Sequence, residues 1–337
     1  MLADDAPLLG AHGLSRRFPG PPPGALARLR GTRAATVHAV EDVTLSIAPH
    51  EALGLVGESG CGKSTLGRML AGILPPSAGE VRWQGRPVAG LRGPAARAWT
   101  LGVQMVFQDP QASLNPRRRV AELVGEAPAL HGLTPRRDVR AYVADILQEV
   151  GLDPGPALDR LPHQFSGGQR QRIGIARALA VRPAALVCDE AVSALDVSVQ
   201  AQVINLLADL RARRGLALLF ISHDLSVVRH LSDRVAVMYL GRIVEEAPAA
   251  RLFAAPAHPY TAALLRQMPR LEPGRKRFDA LPGELPSALR PPPGCAFHPR
   301  CPHVFDRCRA ERPLLQPVAP GQQAACHLHG RMGPDQP

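Results

Sequence analysis

Gly57-Glu58-Ser59-Gly60-Cys61-Gly62-Lys63-Ser64-Thr65 is the stretch on which the fold turns. An apolar run, Leu53-Gly54-Leu55-Val56, precedes it, and a segment with helical spacing, Leu66 to Ile73, follows. Strand, glycine loop and helix in that order make a phosphate cradle, and every fixed position of G-x-x-x-x-G-K-[ST] is filled. Glycines let backbone N–H groups point at a phosphate chain, and the helix N-terminus adds partial positive charge there. The pattern assigns Lys63 to the β and γ phosphates and the Ser64 hydroxyl to Mg²⁺. Among 40 basic residues only Lys63 and Lys276 are lysine. A compact ammonium on a flexible stem suits this loop, and a planar guanidinium does not replace it.

With 337 residues, 45% of them apolar, the chain can bury a sizeable core and is expected to carry two domains. Proline, at 35, is about twice its usual share and marks rigid loops and linkers. The formal charge of +11 permits an anionic partner. The arginines are spread along the chain, however, so no dedicated nucleic-acid surface is expected. No apolar run approaches the ~18–20 residues of a bilayer span. Asp4 and Asp5, with no basic stretch beside them, argue against a secretory signal. The expected location is the cytosol or the cytosolic face of a membrane, where the six cysteines are not expected to form structural disulfides.

Further along, Val37 to Ile47 and Val103 to Phe107 read as strands, and residues 19–36, rich in Gly, Pro and Arg, as a loop. Val139, Tyr142, Val143, Ile146, Leu147 and Val150 share one helical face, which Gly151 ends. Ala184 to Cys188 and Leu216 to Ile221 are short and wholly apolar, as buried parallel strands are. Val199, Val203, Leu206, Leu207 and Leu210 between them keep a helical period, and Val235 to Leu240 reads as a further strand. The expectation is an α/β core interrupted by a helical insertion around 115–180, with a boundary near residue 247 where the pattern changes. No internal repeat is present, so a single nucleotide-binding unit is expected.

The strand Ala185-Leu186-Val187-Cys188 ends in Asp189 and Glu190. Phosphoryl transfer needs a phosphate cradle, a metal and a positioned nucleophile. Asp189 is placed to hold Mg²⁺, and Glu190 to orient or deprotonate water; taken alone, the pair also suits a helix cap. Phe165-Ser166-Gly167-Gly168-Gln169 precedes an amphipathic segment, Arg170 to Ala180, and makes a second anion site at a helix start. One active site does not need two cradles on one chain. Two chains packed head to tail do, each closing on the nucleotide held by the other.

With these residues the chain resembles the ATP-binding subunit of an ABC transporter, over roughly residues 8–265. Gly57–Thr65 matches the Walker A loop, Gln108 the Q-loop glutamine and Ser166–Gln169 the signature, with Phe165 where leucine is usual. Asp189 and Glu190 match the Walker B aspartate and catalytic glutamate. Ser193-Ala194-Leu195-Asp196 matches the D-loop, and His223 the switch histidine. Taken singly, Gln108 also reads as a surface-loop residue and His223 as a helix-start residue. The resemblance implies a P-loop core, an antiparallel β subdomain and a helical subdomain. It implies nucleotide contacts from Gly57, Ser59, Gly60, Gly62, Lys63, Ser64, Thr65, Ser166, Gly167, Gly168, Gln169 and Asp196. Mg²⁺ would be held by Ser64, Gln108 and Asp189, and catalysis would fall to Glu190, His223 and Gln108. Phe18 is the candidate for stacking on adenine, although the 19–36 insertion blurs its alignment. His50 stands where glycine commonly precedes Glu51.

Further stretches resemble the oligopeptide/dipeptide importer branch, closest to the second of its two ATPase subunits. They are Gly54–Gly62, Val106–Pro110 with Ser113-Leu114-Asn115-Pro116, Cys188–Ser198, and His258-Pro259-Tyr260-Thr261 at the start of a C-terminal extension. The implied division is an ATP-binding domain over 1–247 and an extension over 248–337. The implied partners are a sister ATPase (or a second copy), two membrane permeases and, indirectly, an external solute-binding protein. Nickel, glutathione and other small solutes remain open as cargo, because solute choice lies with other subunits. A soluble ABC ATPase acting on ribosomes or nucleic acid is the competing class, and such proteins usually carry two nucleotide units. A simple P-loop kinase or GTPase does not explain Ser166–Gln169. Cys295, Cys301, Cys308 and Cys326 crowd into about thirty residues, without the C-x₂-C spacing of common zinc sites. A [4Fe–4S] cluster, zinc with His298, His303 or His327, and four reduced thiols are the readings. Cys61 and Cys188 read as packing residues.

Overall fold

The computed structural model describes residues 7–20, 35–193, 195–268 and 283–330. Strands β1 (Leu9–Pro19) and β2 (Thr36–Ile47) lead to β3 (Ala52–Val56), helix α1 (Lys63–Leu70), β4 (Ala78–Trp83) and β5 (Arg86–Pro87). Helix α2 (Gly93–Gly102) and β6 (Val103–Val106) follow. The insertion then holds α3 (Pro110–Ser113), α4 (Val120–Leu130), α5 (Val139–Glu149), α6 (Pro154–Ala157) and α7 (Gly167–Leu179). The chain returns through β7 (Ala185–Asp189), α8 (Val197–Arg214), β8 (Ala217–Ile221), α9 (Leu225–Leu231), β9 (Arg234–Tyr239) and β10 (Arg242–Pro248). The extension contributes α10 (Ala249–Ala254), α11 (Pro259–Arg266), α12 (Asp306–Ala310), β11 (Gln316–Ala319) and β12 (Gln322–Ala324).

Two sheets result. A four-stranded antiparallel sheet runs β2-β1-β4-β5, and an eight-stranded sheet runs β11-β12-β10-β9-β3-β8-β7-β6. Strands β6, β7, β8, β3 and β9 of the larger sheet are parallel. Every residue of β3, β7 and β8 is buried, which is why these strands read as unbroken apolar runs. Successive side chains face opposite ways. Ala52 and Val56 belong to the core cluster that takes in α9 and the helices of the insertion, while Leu53 and Leu55 belong to the one formed with α1 and the antiparallel sheet. The phosphate loop therefore leaves the carboxyl end of a central strand, where open α/β sheets bind ligands.

Several expectations shift in detail. The helix after the loop starts at Lys63 and ends at Leu70, and Ile73 beyond it is half exposed. Strands β1 and β4 carry no run of the kind that marked the others, yet β1 pairs with both β2 and β4. Pro19 and Thr36, at the edges of the expected loop 19–36, are already strand residues paired with one another; residues 21–34 lie outside the described residues. The expected boundary at 247 falls within β10, and β12 of the extension hydrogen-bonds to β10. Extension and core thus share one sheet. His50 adopts φ 64° in the left-handed region, which explains why glycine suits that position. Its ring nitrogen Nδ1 lies 2.6 Å from the Gly215 carbonyl, and Arg211 donates to the His50 carbonyl.

Candidate functional site

The loop is built by backbone shape first. Gly62, at φ 110°, packs so closely on β2 that an added Cβ would stand 2.1 Å from the Ala39 carbonyl. Gly57, at φ 153°, meets β9 in the same way, 2.2 Å from the Met238 carbonyl. Any side chain at either position would displace the neighbouring main chain. Lys63 is buried, and its Nζ donates to the carbonyls of Gly57 (2.7 Å) and Glu58 (2.9 Å), closing the loop around its own ammonium. Ser59 and Gly60 form the exposed crest, and Ser64 and Thr65 open α1 half-buried.

Asp189 at the end of β7 reaches this loop. It accepts a 2.7 Å hydrogen bond from Ser64 Oγ, and the Arg68 guanidinium stands 4.0 Å away. Burial pushes its carboxyl up, against the opposing pull of Ser64 and Arg68. A hydroxyl and a carboxylate side by side are hard oxygen donors, the kind Mg²⁺ takes together with water and phosphate oxygens. Ser64 and Asp189 fit that ion.

Glu190 next to it holds φ 45°, a conformation that non-glycine residues seldom adopt and that concentrates at functional sites. Its N–H donates to the Ile221 carbonyl at 3.0 Å, so β8 fixes its position. Gln108 Nε2 donates to Glu190 Oε2 at 2.8 Å, and His223 Nδ1 lies 3.7 Å from Glu190 Oε1. Residues 108, 190 and 223, at the ends of three different strands, thus converge on one carboxylate.

Ser166 caps α7 in a reciprocal box: Gln169 N–H donates to Ser166 Oγ (3.3 Å), and Ser166 N–H to Gln169 Oε1 (3.0 Å). Gly168 lies against α8, where a Cβ would stand 2.2 Å from Val199 Cγ1. Asp196 caps α8 by accepting from Val199 N–H (2.9 Å), which helps hold its carboxyl low. A cleft of about 200 Å³ separates the Gln108 loop from Gly167 and Leu195. Phe18 is half-buried on β1, paired with Val37, with the Arg16 guanidinium 4.7 Å from its ring centre.

Two neighbours of the loop were not foreseen. Tyr260 Oη accepts from the Glu58 N–H at 2.9 Å, and Arg300 Nη1 donates to both Glu58 carboxylate oxygens at 2.9 and 3.1 Å. Both residues belong to the extension, 202 and 242 positions away. His258-Pro259-Tyr260 was marked in the sequence only as the start of that extension.

The expected metal cluster is not supported. Among the described residues no group of three or more His, Cys, Asp or Glu is placed to hold a metal ion. Cys308 and Cys326 are buried and Cys295 and Cys301 partly so, all as free thiols. Burial pushes Cys295 and Cys326 up to about 11, and the neighbouring thiols raise one another further. Cys61 and Cys188 are buried in the core, and burial pushes Cys188 up to about 12.

A phosphate loop closed by lysine, with strand-end acids beside it, defines an α/β P-loop nucleotide-binding fold. Residues 40–193 match the family described as ABC transporter, and residues 244–308 the one described as Oligopeptide/dipeptide transporter, C-terminal region. A probable peptide ABC transporter ATP-binding protein of Sinorhizobium fredii is 53% identical over 298 residues, covering 88% of this chain and 84% of the relative. A putative oligopeptide transport ATP-binding protein of Bacillus subtilis is 50% identical over 299 residues, covering 87% and 90%. Among solved structures, cbiO1 of Clostridium perfringens, part of the ABC transporter complex cbiONQ, matches with a TM-score of 0.61 at 25% identity. That match covers 74% of this chain and 92% of that one. The chain belongs to the ATP-binding proteins of ABC transporters, in the group that carries the oligopeptide/dipeptide transporter C-terminal region. No helix among the described residues is long and apolar enough to cross a membrane.

Proposed function

We propose that this chain hydrolyses ATP to drive import of di- and oligopeptides through membrane permeases, working as a peripheral subunit on the cytosolic face. The observation that carries the reading is the convergence of Gln108 and His223 on Glu190, beside a Lys63 loop and the Ser64–Asp189 pair. The C-terminal region match and the names of the relatives support the peptide cargo.

In this reading Lys63 and the loop N–H groups of Gly60 and Gly62 hold the phosphates, and Ser64, Asp189 and Gln108 hold Mg²⁺. The ion, when bound, neutralises charge on the transferring phosphoryl group. Glu190 accepts the proton of the attacking water, and His223 steadies the γ-phosphate. Ser166, Gly167, Gly168 and Gln169 close the site across a dimer with a sister ATPase, and Asp196 orders the start of α8 beside them. Phe18 stacks on adenine. The insertion around 115–180, hinged at Gln108, meets the permeases.

Whole-cell uptake of labelled di- and oligopeptides, native against Glu190→Gln at equal expression, tests the cargo and the base together. Uptake lost in the mutant is the expected result. No peptide uptake by the native strain, in cells with no second peptide system, would exclude peptides, and labelled nickel and glutathione would then be assayed on the same pair of strains. Peptide uptake unchanged in the mutant would remove Glu190 from the role of base.

A further inference from the structure

Two residues of the extension, Tyr260 and Arg300, bond to Glu58 of the nucleotide loop. Its carboxylate sits in the loop whose main chain cradles phosphate, and its own carbonyl accepts from Lys63 Nζ. An uncompensated carboxylate there would repel a triphosphate. Its compensation comes from Arg300, whose Nη1 reaches both carboxylate oxygens at 2.9 and 3.1 Å. Arg300 is only 6% exposed, while the Glu58 side chain keeps a quarter of its surface in solvent, so the pair is partly screened.

The surroundings fix Arg300 in place. It ends a short 3₁₀ turn, His298–Arg300, that follows Phe297. Phe297, Tyr260 and Tyr239 are fully buried and meet edge to face or tilted, with ring centres 4.6 to 5.3 Å apart. Tyr239 closes β9, the strand against which Gly57 packs, so the cluster joins core sheet, loop and extension. Tyr260 adds a neutral hold on the Glu58 N–H.

We propose that Arg300 is a positioning residue of the nucleotide site: by neutralising Glu58 it lets the loop accept a triphosphate, and so makes ATP affinity depend on the docked extension. This deepens the nucleotide reading above and rests on it. The charge logic separates it from simple structural support. Loss of Arg300 alone leaves a negative charge at the phosphates, whereas loss of both charges restores neutrality.

The experiment titrates mant-ATP with Mg²⁺ into the full chain as native protein, Arg300→Gln, Arg300→Lys, Glu58→Gln and the double variant Glu58→Gln/Arg300→Gln. Arg300→Gln is expected to raise Kd about 10-fold, on the scale of one partly screened charge near another. It should raise KM for ATP while leaving kcat within about twofold. Arg300→Lys should recover part of the affinity, and the double variant should return to within about threefold of native. Native-like Kd in Arg300→Gln, or a double variant as weak as Arg300→Gln, would overturn the proposal. Should Arg300→Gln not fold, Glu58→Gln decides: unchanged or tighter binding sustains the proposal, and weaker binding defeats it. A native chain that fails to bind mant-ATP would overturn the nucleotide reading itself, and this inference with it.

Discussion

The parallel core and the seam that joins it to the extension are held by different means. In β3, β7 and β8 every side chain is buried, and all but Asp189 are apolar or glycine. At the seam a buried polar network stands beside the aromatic cluster of Tyr239, Tyr260 and Phe297. Glu245 is wholly buried and accepts 2.8 Å hydrogen bonds from Ala257 N–H, His258 N–H and Gln322 Nε2. Arg251 donates to Gln322, and His258 Nδ1 accepts from Tyr260 N–H. Apolar burial is non-directional and tolerates small shifts. A buried polar network specifies one arrangement, and each partner removed leaves another group unsatisfied. Variants in the core's acidic rim should therefore alter chemistry and leave the fold, whereas variants at the seam should alter the fold and, through it, the loop.

Glu190→Gln is the largest expected effect. Removing a positioned base typically costs ~10²–10⁴ in rate. Phosphate release at saturating ATP should fall by that factor while ATP binding and the unfolding midpoint stay near native, because Gln108 and His223 keep a polar partner. Turnover within threefold of native would remove Glu190 from the role of base. On the other side of the comparison, Glu245→Ala leaves the Ala257 and His258 N–H groups without an acceptor and Gln322 Nε2 with only the Ala255 carbonyl, at about 1–3 kcal/mol for each buried group left unsatisfied. Denaturant unfolding should show a loss of about 3 kcal/mol or more, and a loss under 1 kcal/mol would mean that the seam is not specified by this network.

The same contrast explains what was legible in the sequence. Wholly apolar runs announced the parallel strands, because strands covered on both faces need nothing but apolar side chains. The glycine loop was legible because no residue with a Cβ fits at 57 or 62. β1, Leu9–Pro19, was not, since its glycines and arginines serve a bulged, partly exposed strand whose register shifts three times against β2. The seam was illegible for a different reason. Arg300 and Glu58 have no local pattern that relates them, and the turn carrying Arg300 has no periodicity. The cysteine spacing suggested a cluster, but it reports only proximity along the chain; whether thiols face a common point is set by packing.

Gly168→Ala probes the contact between α7 and α8. The added methyl would stand 2.2 Å from Val199 Cγ1, and overpacking of that kind costs about 1–3 kcal/mol. Val199→Ala should relieve it in the double variant. An unaffected unfolding midpoint in Gly168→Ala alone would show that the two helices part freely.

His258 should give the seam a pH dependence of its own. Burial and the neighbouring His329 push its imidazole down to about 3, and its Nδ1 must stay unprotonated to accept from Tyr260 N–H. Between about pH 6.5 and 3 the unfolded chain binds a proton that the folded chain refuses. Stability is therefore complete above about 6.5 and falls as pH drops, by roughly 1.4 kcal/mol per pH unit for this one group. His258→Asn keeps an acceptor at the cap and removes the titration, so its unfolding free energy should fall less steeply from pH 6.5 to 5. Parallel pH profiles for the two proteins would assign the acid sensitivity elsewhere.

Tyr260→Phe is the smallest change and separates the two holds on Glu58. It deletes one hydroxyl and keeps the ring that packs on Tyr239 and Phe297. The Glu58 N–H loses its acceptor, at about 1 kcal/mol for an ordinary hydrogen bond. Because the lost partner is neutral, the Glu58 carboxylate stays paired with Arg300. ATP affinity should then change by less than about threefold, well short of the effect of Arg300→Gln. A tenfold loss in Tyr260→Phe would mean that the backbone hold, not the charge, is what the extension supplies to the loop.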